Sequence, residues 1–499
     1  MGALTLKQFS NSIREWELFE GEGIDPTDGF GVDLRLSIRE NQIFLAEPCD
    51  SNTPWLTDRG RLFFDGLFDE NLVNEKTDWN KFFEYFAEFL YFSNHLYLKK
   101  KKSFFLVVVF ENVSLEILNL LYLLAKNNSF IKLRKADTCY LNPDHESNFL
   151  LNTSTEKSKL HLSTLGFLLN TNTRYEGYIL NLNLRLRFLK GDFKLLSIGS
   201  VLDITLPTYN LGSNFSVFKL ISEGTHLSCQ EIKRSQFPVL IANTELFKRK
   251  STKNFMNVLK STTFLKNSWN GVNILNSNLS NSGTHLLNNF LPLSSEDYIN
   301  FLGFYAINVE LKSIGYFNKL IDLKLLNILE CPNNSCKQMY IEHKNSFFEN
   351  NETYINTQGL IKRTTKLLNF NKNSKNNWQI IRKIYSVSNN IMHLNTHKTF
   401  EFIHFNFSNS FNYKNYINFQ VFPTQNIASF SFYLTKRNSF FVQNFNSNFK
   451  GFQNKFFETK MKYWLDDFFL NNGRDSFSFN SSVLINCSKI SRNVNTNFF

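Results

Sequence analysis

The sequence predicts an α/β chain with mostly parallel sheets flanked by helices and a small antiparallel β subdomain at the N-terminus. Three observations lead there. First, Phe104–Phe110 is an unbroken apolar run followed by a helix-period segment from about Ser114 to Lys126; strands buried on both faces read this way, and a strand–helix–strand order marks a parallel sheet. Second, the same order recurs at 165–170, 177–189 and 194–200. Third, Leu34, Leu36 and Ile38, then Ile43 and Leu45, alternate about Glu40-Asn41, the pattern of a hairpin with one dry face.

At 499 residues, with 42% hydrophobic and 20% charged, the chain suits a globular protein of two or three domains. Its bias lies in 55 Phe against 20 Gly and 9 Pro, whereas average usage is roughly 7% Gly and 5% Pro. Phe, Asn, Lys and Ile can use AT-rich codons, so an AT-rich genome explains the skew without any physical demand. The net charge of +12 could suit nucleic acid, but no recognition module accompanies it. The tight basic run Lys99–Lys102 fits a solvated turn before a strand.

Six Cys stand at 49, 139, 229, 331, 336 and 487, with 331 and 336 the close pair. A zinc or cluster site needs four grouped ligands, and a secreted disulfide framework needs another pattern, so structural or free thiols are expected. The apolar runs Phe104–Phe110 and Leu115–Ala125 fall short of the roughly 20 residues of a membrane helix. No direct membrane span is expected.

Taken in order, Asp65-Gly66 signals a turn and Asp78–Tyr97 has helical spacing with Asp at its start. Phe130–Arg134 is the strand after the first crossover helix. In the second unit Thr171–Glu176 reads as a loop leading into the helix, with Arg174 and Glu176 as a structural pair. Pro238–Asn243 is a strand, Glu245–Lys260 an amphipathic helix, and Phe304–Val309 another short strand. Asn356, Thr357 and Gly359 suit a stabilised turn. Residues 391–462 are rich in Phe, Asn, Ser and Tyr, and fit short strands or an irregular extension equally well.

Several stretches carry more than composition. Trp16-Glu17-Leu18 leads into Ile24-Asp25-Pro26-Thr27-Asp28-Gly29-Phe30-Gly31, and Trp55 is followed by Asp58, Arg61, Asp65, Gly66 and Leu67. Thr171–Glu176, Asn183-Leu184-Arg185-Leu186-Arg187 and Ser197-Ile198-Gly199-Ser200 come next; then Glu349–Gly359 and Trp378-Gln379-Ile380-Ile381-Arg382. In this order, up to about residue 385, the series resembles the molybdopterin-oxidoreductase-like domain of the large iron–sulfur subunit of NADH:ubiquinone oxidoreductase, respiratory complex I. The family's Asn-Pro-Arg has its proline replaced by Thr173.

The resemblance implies a molybdopterin-oxidoreductase-like fold. It implies a division into a β-rich segment at 1–67, an α/β domain at 68–390 and a diverged extension at 391–499. In catalytic relatives the loop matching Thr171–Glu176 helps seat a pterin dinucleotide. The family's subunit begins with a cysteine-rich region holding iron–sulfur clusters, and no Cys lies between Trp16 and Leu36 here. The expectation is therefore a non-catalytic structural half of a split subunit, with no catalytic, cofactor-binding or metal-binding residue of its own. The clusters would sit in a separate partner chain, docked through Arg14, Trp16, Asp25, Asp28, Trp55, Asp58, Arg61 and Asp65. The codon signature and the lack of a presequence suggest a mitochondrially encoded chain on the matrix side of the inner membrane, bound to peripheral-arm subunits of complex I and not to nucleic acid. Two rivals stay open: a diverged molybdopterin oxidoreductase with a cofactor near 171–176 and 356–359, and a basic organellar nucleic-acid-binding protein.

Overall fold

The computed structural model describes residues 13–49, 55–67, 79–100, 105–110, 112–136, 159–199, 204–244, 246, 264–266, 269–276, 278–287, 290–293, 303–308, 326–330, 339–341, 347–368, 375–393, 481–487 and 490, with Leu6, Phe9 and Ser10. The strands β1 (Phe19–Ile24), β2 (Asp33–Arg39) and β3 (Gln42–Pro48) form a three-stranded antiparallel sheet. Glu40 and Asn41 both take positive φ, at 50° and 65°, as a two-residue hairpin turn of matching twist requires. Alternation turns Leu34, Leu36 and Ile38 inward, with Ile43 opposite Ile38, but the expected pattern breaks in β3: Ala46 is buried and Leu45 only half-buried, and the β2–β3 register shifts at Ser37/Ile38.

After α1 (Asp58–Leu62) and a 3-10 turn at Phe63–Leu67 come α2 (Trp79–Lys100), β4 (Phe105–Val109), α3 (Leu115–Asn127) and β5 (Ile131–Lys135). The second unit holds β6 (Leu165–Leu169), α4 (Thr173–Glu176), α5 (Tyr178–Leu189), β7 (Lys194–Ile198), β8 (Tyr209–Gly212), α6 (Ser216–Glu223), α7 (Ser228–Arg234) and β9 (Val239–Asn243). Next are β10 (Leu265–Lys266), β11 (Trp269–Asn270), β12 (Val272–Leu275) and α8 (Leu279–Leu286). The chain returns through β13 (Leu291–Pro292), β14 (Gly303–Ile307), β15 (Leu326–Glu330) and β16 (Met339–Ile341), then β17 (Thr353–Ile355), β18 (Ile361–Arg363) and α9 (Asn377–His393).

Two parallel sheets result. One runs β13-β5-β4-β14-β15-β16 and the other β12-β9-β6-β7-β8. The strands of the second lie in sequence between β5 and β13, so the five-stranded layer is inserted into the six-stranded one. Its residues show why unbroken apolar runs become parallel strands. Phe167, Leu169, Leu196, Leu240 and Ala242 face a core shared with Phe218 and Ile221 of α6. Their neighbours Leu168, Leu195, Val239 and Ile241 face Leu180 and Leu184 of α5 on the opposite side. Both faces are dry, as the period-2 geometry of a helix-covered strand demands.

The abundant Phe builds the six-stranded sheet's core. Phe86 and Phe89 of α2 meet Phe105 of β4 with centroids 5.6 and 5.4 Å apart. Gly303 makes room for this, since a Cβ there would come within 2.1 Å of the Phe89 ring. The small N-terminal sheet has no core of its own: Ile24, Leu36 and Phe63 pack with Phe347, Phe348, Tyr354 and Leu368 from far along the chain.

The predicted fold class is the one observed, with local corrections. Residues 171–176 are not all loop. Asn172 accepts a hydrogen bond from the Arg174 N–H at 3.2 Å, and this side-chain cap starts the one-turn helix α4. The strand expected at Phe304–Val309 starts at Gly303 and ends at Ile307, because Asn308 turns to φ 56°. The helix expected at Glu245–Lys260 (apart from Leu246), the Cys331/Cys336 pair, and residues 394–462 of the Phe-rich stretch lie outside the described residues. No described helix is long and apolar enough to cross a membrane.

Candidate functional site

The loop between β1 and β2, residues 25–32, is the point where the separate pieces of the molecule meet. Its own chemistry folds it. Asp25 Oδ1 accepts from the Thr27 N–H at 2.9 Å and the Thr27 hydroxyl at 2.7 Å. Asp28 Oδ1 accepts from the N–H groups of Phe30 and Gly31 at 3.0 and 3.2 Å. Each carboxyl thus turns the backbone that follows it, the habit that makes Asp a turn residue. Gly31 supplies a left-handed corner at φ 56°.

Four other elements close on this loop. From α1, Arg59 donates to the Thr27 carbonyl, and Gly60 lies so near Asp25 that a Cβ would sit 2.6 Å from its Oδ2. From the β17–β18 turn, Thr357 donates through its N–H and hydroxyl to the Gly29 carbonyl at 2.8 and 2.7 Å, and Asn356 Nδ2 donates to Phe30 O at 3.0 Å. From the carboxyl end of β12, the Asn276 carbonyl lies 2.3 Å from where a Gly29 Cβ would be. At the start of α5, Gly177 is packed on the Phe30 ring, where a Cβ would lie 2.7 Å from Cε2.

Burial sets the electrostatics. Asp25 and Asp28 are 0% and 4% exposed. Asp28 is pushed up to about 7, chiefly by burial and then by Asp25 beside it, while Arg59 and the two backbone N–H groups pull the other way. Tyr178 is raised from its ordinary value by burial and then by Asp28 and Asp25, so its hydroxyl keeps its proton.

A second carboxyl pair ties α3 to the β17–β18 hairpin. Glu116 accepts from the Thr353 N–H at 3.1 Å and hydroxyl at 2.7 Å. Glu352 is 1% exposed, accepts from the Tyr354 hydroxyl at 3.0 Å, and is raised to about 8 by burial and then by Glu116. Sequence reasoning singled out Glu352 only within its motif and missed Glu116. The available signal was an acidic residue in the first turn of α3, which reads equally well as an ordinary helix start.

The carboxyl ends of the strands, where ligands gather in parallel sheets, are bridged by side chains. Asn276 Nδ2 donates to Ser282 Oγ at 3.1 Å, the Asn112 N–H to Ser280 Oγ at 3.0 Å, and Asn308 Nδ2 to the Asn112 carbonyl at 3.2 Å. The helix α8 thereby spans the ends of both sheets. In the segment 171–176, Thr171 donates to the Ile241 carbonyl at 3.2 Å and Thr173 to Asn181 at 3.0 Å. Arg174 lies exposed over the Tyr175 ring at 5.4 Å, while Glu176 is buried. At this crossing the side chains named above tie the strand ends of the two sheets to one another. Among the described residues no group of three or more His, Cys, Asp and Glu could hold a metal ion.

The eight residues singled out from sequence divide by environment. Asp25 and Asp28 are internal. Trp16 and Trp55 are 76% and 63% exposed, with the Arg14 guanidinium 5.1 Å from the Trp16 ring centre. Asp58 is exposed on the first turn of α1, and Arg61 is half-buried. Asp65 faces the C-terminal segment: its Oδ2 accepts from the hydroxyls of Ser481 and Ser482 at 3.1 and 3.0 Å and from the Val483 N–H at 3.1 Å. Phe19, 70% exposed at the start of β1, went unnoticed in the sequence because it opens a strand like any other aromatic.

Residues 76–340, just over half of the chain, match the family model described as molybdopterin oxidoreductase. The chain belongs to the molybdopterin oxidoreductase family. Its two parallel sheets are that domain, and the β-rich segment lies before the matched residues. Among curated relatives, the NADH-ubiquinone oxidoreductase 75 kDa subunit of Reclinomonas americana is 25% identical over 459 residues, covering 82% of this chain and 62% of the relative. The protein of the same name from Acanthamoeba castellanii is 23% identical over 528 residues, covering 100% of this chain and 70% of the relative. NADH dehydrogenase [ubiquinone] iron-sulfur protein 1, mitochondrial, of Solanum tuberosum is 25% identical over 297 residues, covering 55% and 38%. The chain thus spans less than two thirds of the length of the first two of these that are 25% identical.

Proposed function

We propose that this molybdopterin oxidoreductase family member is a non-catalytic structural subunit of the peripheral, matrix-side arm of respiratory complex I. In this role it holds a separate iron–sulfur cluster-bearing chain against the rest of the arm, and electrons pass through that partner. The observation that carries the proposal is the packed crossing of the two sheets. Gly29 against Asn276, Thr357 on Gly29, and Asn112 on Ser280 join the ends of the two sheets through contacts within the chain, which supports a structural role for this crossing. The names of the relatives support the assignment to complex I. The exposed Arg14–Trp16 pair, Phe19 and Trp55 supply aromatic and Arg anchors of the kind that carry interfaces.

Native purification from mitochondria tests this. The chain is expected to co-migrate with NADH dehydrogenase activity, and metal analysis of that fraction is expected to find molybdenum and tungsten far below one per chain. Migration apart from the activity would sink the complex I assignment. Stoichiometric molybdenum or tungsten would favour the enzymatic alternative.

A further inference from the structure

We propose that residues 481–487 are a clasp that fixes the segment 55–67 in place, so that the edge presenting Trp55 and Asp58 is set only when the far end of the chain has folded back onto it. The 3-10 turn Phe63–Leu67 is gripped on two sides. Inward, the Phe63 ring stacks on Phe348 at 5.5 Å and 17° within the core of the small sheet. On its other side, one oxygen, Asp65 Oδ2, takes three donors from Ser481, Ser482 and Val483 at 3.0–3.1 Å.

The C-terminal helix depends on the same contact. Its described residues 482–487 start directly at Ser481. Ser481 Oγ accepts from the Leu484 N–H at 3.3 Å, and Ser481 and Leu484 are 0% and 1% exposed. The helix start, its buried anchor and its hold on Asp65 are therefore one unit. The two segments lie 416 residues apart at Asp65 and Ser481, so neither can acquire this geometry from local sequence. Asp65 is then a positioning residue: it acts on a partner by holding the surface that the partner meets. That last consequence rests on the function proposed above; the clasp itself does not.

Amide hydrogen exchange on the full chain decides it, using D65A, D65N and the double variant S481A/S482A. In D65A, amides of 57–67 and of 481–487 should speed up together by about tenfold or more, while β4 and β6 keep their protection. D65N retains a carbonyl oxygen as acceptor and should restore most of the protection. Unchanged exchange in D65A, or change in only one segment, would overturn the clasp. If D65A loses β4 and β6 protection as well, S481A/S482A decides, since it removes two of three donors; unaltered protection at 57–67 there also overturns it. The same variants are scored for co-migration with NADH dehydrogenase activity. Failure of the wild-type chain to co-migrate counts against the proposed function and leaves the exchange result standing.

Discussion

Asp28 and Glu352 make this molecule sensitive to pH in an unusual sense. Most folded carboxyls are held below their ordinary range, and acid undoes them. Here burial raises Asp28 from 3.8 to about 7 and Glu352 from 4.5 to about 8. Between the lower and upper value of each, the folded chain binds a proton that the unfolded chain has lost. Stability therefore falls as pH rises through that window. Unfolding midpoints in urea should decline from pH 5 to pH 8.5, and E352Q and D28N should each flatten part of the slope; a midpoint rising with pH would contradict the protonated pair. Glycine substitutions give a second, sharper contrast. In G29A the new Cβ would lie 2.3 Å from a backbone oxygen, whereas in G283A it meets a Leu118 methyl at 3.1 Å. Backbone cannot yield cheaply, so G29A should cost about 1–3 kcal/mol or more. G283A, mid-helix and against a movable side chain, should be neutral or stabilising by up to about 1 kcal/mol. Urea titration of both variants reads the sign.

At the scale of elements, the sequence was legible wherever a residue's fate follows from its near neighbours. The runs that became β4, β6 and β9 are continuous and apolar because both faces are covered, and helices α3 and α5 lie where the 3.6-residue spacing put them. The Asn41 corner and the Gly359 turn, at φ 65° and 79°, were visible from residue type alone. Contacts between distant segments were not legible. Thr357 on Gly29 and Ser481 on Asp65 join residues 328 and 416 apart, and a single pairing of that kind leaves no periodic trace. The site showed the same split: the Asp25–Gly31 motif stood out, but its burial did not, since Asp in a turn is ordinarily solvated. Helix α5 offers a test of what periodicity says about energy. Leu184 is 0% exposed in the core against β6 and β7, while Leu186, two residues on, is 60% exposed. L184A should cost about 2–5 kcal/mol and L186A within about 0.5 kcal/mol in chemical denaturation.

The whole molecule is a set of sequence-distant pieces closed on one loop, and this shapes what its surface can do. The small sheet borrows its core from residues 347–368, and the strands of the five-stranded sheet are inserted in sequence between those of the six-stranded one. Loss of the loop would therefore loosen several layers at once, whereas loss of an exposed aromatic should touch none of them. Trp16, Phe19 and Trp55 keep most of their surface in water, so replacing them removes little that holds this chain folded. If they anchor a partner, however, each becomes a buried contact in the assembly, where truncating an aromatic anchor costs about 2 kcal/mol or more. The triple variant W16S/F19S/W55S should thus unfold at the wild-type urea midpoint yet be recovered with NADH dehydrogenase activity at a small fraction of the wild-type yield. Equal recovery at equal stability would place the docking surface elsewhere on the molecule. A lowered midpoint would mean that these rings serve the fold, in which case a loss of recovery says nothing about an interface.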